Sequence, residues 1–184
     1  MAWFAEQGSE MPDGYVIGRA LPEQIAQLPE VERLAASRFD NSMATRMVGS
    51  VLSVEALAEA QRSGRLWVAA LPDGRPVGFA LVEAAEDRVH LAELDVLPEH
   101  GRRGVGAGLL QAIEAWAAGA GYAAITLTTY RDVPWNAPFY CKLGFREIAH
   151  DLLDARLRSV LEHEEALGLE PPKRIAMIKH LTSA

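Results

Sequence analysis

Cysteine is nearly absent: Cys141 is the only one among 184 residues. That excludes an intramolecular disulfide and a cysteine-built zinc cage. Long apolar runs are missing as well. The best stretch, around residues 116–127, is broken by Gly119 and Gly121 and falls short of the about 18 residues a membrane-spanning helix needs. The N-terminus, Met-Ala-Trp-Phe-Ala-Glu-Gln, has no basic segment leading into an apolar one, so no secretory signal is expected. Positive charge is in deficit, with 18 Lys+Arg against 25 Asp+Glu and a formal net charge of −7. Such a surface repels phosphate backbones and argues against nucleic acid as a partner. It attracts cationic amines, although most carboxylates on such a chain are solvated helix faces. The expectation is a cytoplasmic protein with no membrane association. Apolar residues make up 49%, enough to build the core of a single domain over residues 1–184.

No repeat, low-complexity tract or long linker divides the chain. Residues 14–19 read as a first strand. Pro29 suits the first position of a helix to about Phe39, with Val31, Leu34 and Ala35 on one face. Residues 40–52 have no clear period and read as loop. Ser53 can cap a second helix over 54–62, which Gly64 stops. Residues 65–71 and 76–84 are strand-like and joined by Pro72-Asp73-Gly74, a hairpin signal because glycine takes the positive φ of a tight turn. Another strand spans 88–96. The pattern then changes to a helix from Val105 to about Ala120 and a strand over 123–129, a parallel crossover. A short helix is expected over 134–143, strands over 145–149 and 174–181, and a polar helix over 154–167. The sum is an α/β or α+β domain with a mixed sheet.

The most informative segment is Glu93-Leu-Asp-Val-Leu-Pro-Glu-His-Gly-Arg-Arg-Gly-Val-Gly-Ala-Gly-Leu-Leu110. A strand ends and a helix begins here. Amides at a helix N-terminus lack internal acceptors and lie at the positive end of the macrodipole, so they receive an anion. Gly104, Gly106 and Gly108, with Val105 and Ala107 between them, let that anion approach the backbone, and Arg102 and Arg103 add charge. A P-loop needs Gly-Lys-Ser/Thr entering the helix, and none is present. A dinucleotide fingerprint begun at Gly104 needs glycine where Leu109 stands and an acid where Thr126 stands. A glycine-rich loop serving only a tight turn is the plain structural alternative.

A second segment follows, Pro134-Trp-Asn-Ala-Pro-Phe-Tyr-Cys-Lys-Leu-Gly-Phe145. With Gly104-Val-Gly106 before it and Tyr140-Cys-Lys-Leu-Gly144-Phe145 within it, the chain resembles the GNAT acetyltransferase superfamily over residues 76–149. Family members pair an Arg/Gln-x-x-Gly-x-Gly/Ala pyrophosphate loop with a later Tyr-x-x-x-Gly-Phe. The resemblance implies a mixed, mostly antiparallel seven-stranded sheet with helices on both faces, and acyl transfer from acetyl-CoA to an amine. Three positions depart from the pattern. Gly101 stands where the loop usually has Arg or Gln, Val133 where an asparagine often binds the pantetheine arm, and Pro138 shortens the following helix.

The same resemblance implies site roles. Acetyl-CoA would meet the backbones of Leu94 and Val96 and the loop formed by Arg102, Arg103, Gly104, Val105, Gly106, Ala107 and Gly108, with Asn136 a further cofactor-binding candidate. Glu93 is the expected base and Asp95, of the same strand parity, the alternative; either can instead serve an arginine structurally. Tyr140 is expected to stabilise the departing thiolate, with packing beside Phe139 and Phe145 as its structural alternative. Asp132 and Trp135 are candidates to hold a cationic acceptor, Asp132 being equally suited to cap the next helix. Cys141 reads as a small buried thiol, and the scattered histidines as surface residues with no metal role. The expected partner is a small-molecule or peptide amine, and family habit is compatible with a homodimer. The rival expectation is a GNAT-fold module that binds acyl-CoA without turnover.

Overall fold

The computed structural model describes residues 9–10, 14–39, 51–169 and 173–182. Its strands follow the hydrogen-bonded order β1-β2-β3-β4-β5-β6-β8-β7. They are β1 (Ser9–Glu10), β2 (Val16–Arg19), β3 (Leu66–Ala70), β4 (Pro76–Ala84), β5 (Arg88–Val96), β6 (Ala124–Tyr130), β7 (Arg146–Glu147) and β8 (Arg174–His180). β5 pairs in parallel with β6, whereas β1/β2, β2/β3, β3/β4, β6/β8 and β7/β8 are antiparallel. The expected mixed, mostly antiparallel sheet of seven strands is present, and the two-residue β1 is added to it. The chain divides into two compact units, residues 1–83 with 93–115 and residues 84–92 with 116–184.

In the first unit β3 is buried along its whole length, which is why Leu-Trp-Val-Ala-Ala shows no alternation. The Pro72-Asp73-Gly74 turn closes as expected: Gly74 has φ +88°, the amide of Arg75 donates to Asp73 Oδ1 at 3.0 Å, and that of Gly74 donates to the Leu71 carbonyl. Two helices accompany these strands, α1 (Leu28–Ala36) and α2 (Val54–Arg62). Ser53 caps α2, its Oγ accepting from the Ala56 amide at 3.2 Å. Leu57 of α2 is fully buried, a burial worth about 1.5–3 kcal/mol.

The strand expected over 14–19 begins at Val16. A 3-10 turn, Pro22–Gln27, precedes α1 and has no counterpart in the sequence reading. It is held by Gln24, whose Oε1 accepts from the Leu21 amide and whose Nε2 donates to the Gly74 carbonyl. Most of the loop expected over 40–52 lies outside the described residues.

Close approach of β4 to the later part of β5 depends on Gly78. A Cβ there would lie 2.7 Å from the Asp95 carbonyl oxygen and 3.1 Å from Val96 Cγ2. The β3/β4 register shifts at the same place, Ala69 pairing with Gly78 but Ala70 with Pro76, so Val77 is the extra residue of a bulge. Helix α3 (Val105–Gly119) buries Val105, Leu109, Leu110 and Ile113, of which Val105, Leu109 and Ile113 form an i, i+4 stripe.

In the second unit β6 pairs with β8 over seven residues, from Ala124↔His180 to Tyr130↔Arg174. Helix α4 (Ala137–Lys142) and helix α5 (Ala155–Ala166) belong here. Asp154 caps α5, accepting from the Leu157 amide at 2.9 Å. Arg174 of β8 grips Glu164 of α5 with Nε and Nη2, and Thr128 of β6 donates to the same carboxylate. Both partners of that ion pair are largely buried, so α5 is fixed to its sheet by a bidentate, charge-assisted contact. α4 starts at Ala137, three residues later than the expected helix. Pro138 has no amide to donate to residue 134, so a helix begun at Pro134 would lose its first internal hydrogen bond.

Candidate active site

The acidic candidate residues of β5 lie in the first unit. β5 is buried from Val89 to Leu91 and only half-buried from Ala92 to Val96, so Glu93, Leu94, Asp95 and Val96 occupy its accessible part. Period-two alternation puts Glu93 and Asp95 on one face and Leu94 and Val96 on the other. The Asp95 Oδ2 is buried and has no hydrogen-bond partner among the described residues. Burial, then the charge of Glu93, then that of Glu32 hold the Asp95 carboxyl well above the ordinary aspartate range. Glu32 of α1 is itself buried. Burial raises its carboxyl too, against a lowering from the Leu52 amide, which donates to its Oε2 at 3.0 Å. The sequence reading missed Glu32. The signal was present: Glu32 lies four residues after Leu28 on the apolar face of α1, a position no solvated carboxylate should hold.

The anion-receptive element follows directly. Pro98–His100 forms a 3-10 turn, anchored by a 2.8 Å hydrogen bond between the Tyr15 hydroxyl and His100 Nδ1. Burial, the largest cause, lowers the His100 pKa below its ordinary value. Arg102 then takes φ +60° and Gly104 φ +82°. Arg102 is the one non-glycine with positive φ among the described residues, a conformation disfavoured by about 1–2 kcal/mol. These two reversals turn the chain so that α3 starts at once, with the Gly108 amide donating to the Gly104 carbonyl at 2.8 Å. The amides of Val105, Gly106 and Ala107 therefore have no acceptor within the helix. Arg102, Arg103 and Gly104 are exposed, and Gly106, Ala107 and Gly108 half-exposed. The loop predicted from sequence is thus assembled as an accessible positive helix N-terminus.

The remaining predicted residues lie in the second unit. Asn136 is the N-cap of α4 without a side-chain capping bond, and its carbonyl accepts from Phe139 and Tyr140. Trp135 is half-buried and Asp132 exposed. Asp132 stands four residues before that N-cap, too early to cap α4, so its capping alternative is not realised. Tyr140 is 9% exposed, its ring edge-on to Phe139 at 5.1 Å and to Phe145 at 5.7 Å.

Tyr140-x-x-x-Gly144-Phe145 also has a local structural logic. The Phe145 amide donates to the Tyr140 carbonyl, the Gly144 amide to that of Cys141, and Gly144 has φ +90°. This is a Schellman termination, with the Tyr140–Phe145 contact as its apolar clasp. Cys141 is exposed, correcting the expectation of a buried thiol. It follows Tyr140 on a helix of six residues whose core contact is made by Ala137 and Tyr140, which leaves Cys141 on the outer face. Among the described residues no group of three His, Cys, Asp or Glu is placed to hold a metal ion, and no helix is long and apolar enough to cross a membrane.

The family model described as Acetyltransferase (GNAT) family matches residues 29–145. It runs through the β5–α3 loop and ends on the phenylalanine of the Tyr-x-x-x-Gly-Phe segment. The chain belongs to the GNAT acetyltransferase family. Among solved GNAT-fold structures it is similar to the PaiA N-acetyltransferase of Thermoplasma acidophilum in complex with coenzyme A, with a TM-score of 0.68 and 19% identity over 90% of this chain and 98% of that one. It is also similar to N-acetylglutamate synthase of Neisseria gonorrhoeae complexed with coenzyme A and N-acetyl-glutamate, with a TM-score of 0.67 and 19% identity over 91% of this chain and 35% of that one. A third is the ribosomal-protein-S18-alanine N-acetyltransferase of Escherichia coli, with a TM-score of 0.64 and 18% identity over 92% and 96%. At these identities the likeness shows a shared fold. Gly101, Val133 and Pro138 are the three positions named above where this chain departs from the family pattern.

Proposed function

We propose that this GNAT protein moves an acetyl group from acetyl-CoA to a primary amine of a small molecule or peptide, by direct attack of the amine in a ternary complex in the cytoplasm. The observation that carries the reading is the turn at the head of α3. Arg102 at φ +60° and Gly104 at φ +82° present unsatisfied helix amides beside two exposed arginines, a fit for a pyrophosphate. In this reading Arg102, Arg103 and the amides of Gly104–Gly108 hold the CoA phosphates. The backbones of Leu94 and Val96 receive the pantetheine arm, and an amide donor there stabilises negative charge on the thioester oxygen. The Asn136 side chain, not used as a cap, is a further polar contact for that arm.

An alkylamine is charged at neutral pH and must lose a proton to attack. Glu93 takes that proton as the C–N bond forms and the C–S bond breaks. Asp95, Glu93 and Glu32 interact electrostatically here, and a cationic acceptor would relieve that concentration of acid groups. Exposed Asp132 and half-buried Trp135 provide a second cation-receptive pair. The departing thiolate, with a pKa near 8.5 against about 10 for a phenol, is stabilised by hydrogen bonding from Tyr140 more than by full proton transfer.

One observation favours the rival, an acyl-CoA-binding module without turnover: Tyr140 already has a complete structural role in the Schellman clasp. Tyr140→Phe separates the two. It keeps the ring and both aromatic contacts, so the thermal melt and acetyl-CoA affinity should hold while kcat falls about 10- to 10³-fold. Unchanged kcat in Tyr140→Phe would reduce the tyrosine to a clasp, and absence of turnover in both proteins would favour the binding module.

A further inference from the structure

We propose that Arg38, in the turn that ends α1, is a phosphate-contacting residue of the acyl-CoA site and supplies the guanidinium that the β5–α3 loop lacks at Gly101. The inference rests on the acyl-CoA reading of that loop. Gly101 has φ −66° and ψ 153°, an extended conformation open to any residue, so no backbone demand calls for glycine there. What glycine provides is space. A Cβ at 101 would lie 3.7 Å from Arg38 Nη1 and 3.1 Å from the Pro98 carbonyl oxygen. The guanidinium of Arg38 therefore borders the space that a side chain of residue 101 would enter.

The position of Arg38 is built into the chain. The Arg38 amide donates to the Ala35 carbonyl at 3.2 Å and the Ser37 amide to that of Leu34. Ser37 Oγ donates to the same Leu34 carbonyl. Arg38 is half-buried, and burial together with the nearby charge of Arg102 lowers its pKa. An arginine nevertheless stays protonated. A protein of net charge −7 thus brings a partly desolvated guanidinium into the field of Arg102, beside a helix N-terminus. A phosphate bound at this helix N-terminus would meet a permanently protonated guanidinium. Phosphate contact by a guanidinium is also geometrically specific, because its fork matches two oxygens at once.

Calorimetry with the full chain tests this, using CoA, 3′-dephospho-CoA and phosphate-free pantetheine as ligands. Arg38→Gln should weaken CoA binding about 10- to 100-fold, the usual cost of losing a charge-assisted hydrogen bond, and flatten its salt dependence. Pantetheine binding and the thermal melt should hold. A loss shared by 3′-dephospho-CoA places the contact on the pyrophosphate; a loss confined to CoA places it on the 3′-phosphate; either supports the inference. Arg38→Lys, which keeps charge and stem but not the fork, should lie between wild type and Arg38→Gln, and serves where the glutamine variant folds poorly. Adding Gly101→Arg to Arg38→Gln should restore affinity, since the new side chain enters the adjoining space once the Pro98 carbonyl yields a few tenths of an ångström. Arg38→Gln binding CoA as wild type does, while Gly106→Val does not, would overturn the role of Arg38 and leave the loop reading standing. Equal losses for CoA and pantetheine would overturn it as well, marking a structural arginine. Absence of CoA binding by the wild-type protein would instead overturn the acyl-CoA reading itself.

Discussion

Buried carboxylates set the residue-scale behaviour of this protein. The Asp95 and Glu32 carboxyls are both raised, burial being the largest cause in each. A group whose pKa is higher folded than unfolded favours the fold below its unfolded pKa and loses that contribution as pH rises through its folded value. Above the ordinary aspartate range Asp95 therefore opposes folding, because the folded state must either bury its carboxylate or take up a proton. Asp95→Asn removes the ionisation, so urea or thermal unfolding at pH 7–8 should show a more stable protein. The gain should disappear below the ordinary aspartate pKa of about 3.9, where Asp95 is protonated in both states. Lower stability of the variant at pH 8 would contradict this assignment. Retaining such a residue suits a functional role rather than a structural one. Glu93 is tested by the same chemistry. Glu93→Gln cannot accept a proton, so kcat should fall about 10²-fold and the acidic limb of the pH–rate profile should vanish. An acidic limb that survives would transfer the base role to Asp95.

At the scale of elements, what the sequence made legible was whatever turn chemistry brackets. β4 and β5 match the predicted 76–84 and 88–96 because Pro72-Asp73-Gly74 and Glu86-Asp87 delimit them. α2 was legible from Ser53, which caps it as expected, and α5 from its polar pattern, the Asp154 cap being a finding of the structure. Elements defined by tertiary contact were not. The Pro22–Gln27 turn depends on Gln24 reaching the Gly74 carbonyl across the unit, a partner that no local pattern announces. The outward aspect of Cys141 likewise depends on which face of α4 packs. The loop at the head of α3 is the element on which the proposed cofactor binding rests. Gly106→Val adds a branched side chain over the first-turn amides in helical backbone, where valine is intrinsically better tolerated than glycine. The melt should therefore hold or rise while CoA affinity, read by calorimetry, collapses. A folded Gly106→Val that keeps wild-type affinity would remove the cradle from this account.

At the scale of the molecule, the family was legible before the structure, because two short segments in the right order on the right elements resemble it. Each segment proves to have a physical reason of its own. The glycines and arginines turn the chain into a helix N-terminus, and Tyr140 to Phe145 terminate a helix with a Schellman clasp. The acceptor was not legible, since nothing in the composition distinguishes one amine from another and the acidic groups around Asp95 specify only positive charge. The central claim is that this protein transfers acetyl groups and does not merely bind their carrier. It is tested most directly by incubating the full chain with acetyl-CoA and a panel of amino acids, polyamines, aminoglycosides and peptide N-termini, and measuring free CoA and acetylated amine together. The account predicts at least one amine acetylated in step with CoA release, at a rate that Glu93→Gln and Tyr140→Phe both lower. Tight acetyl-CoA binding by calorimetry, with no acetylated product from any cationic amine, would contradict it.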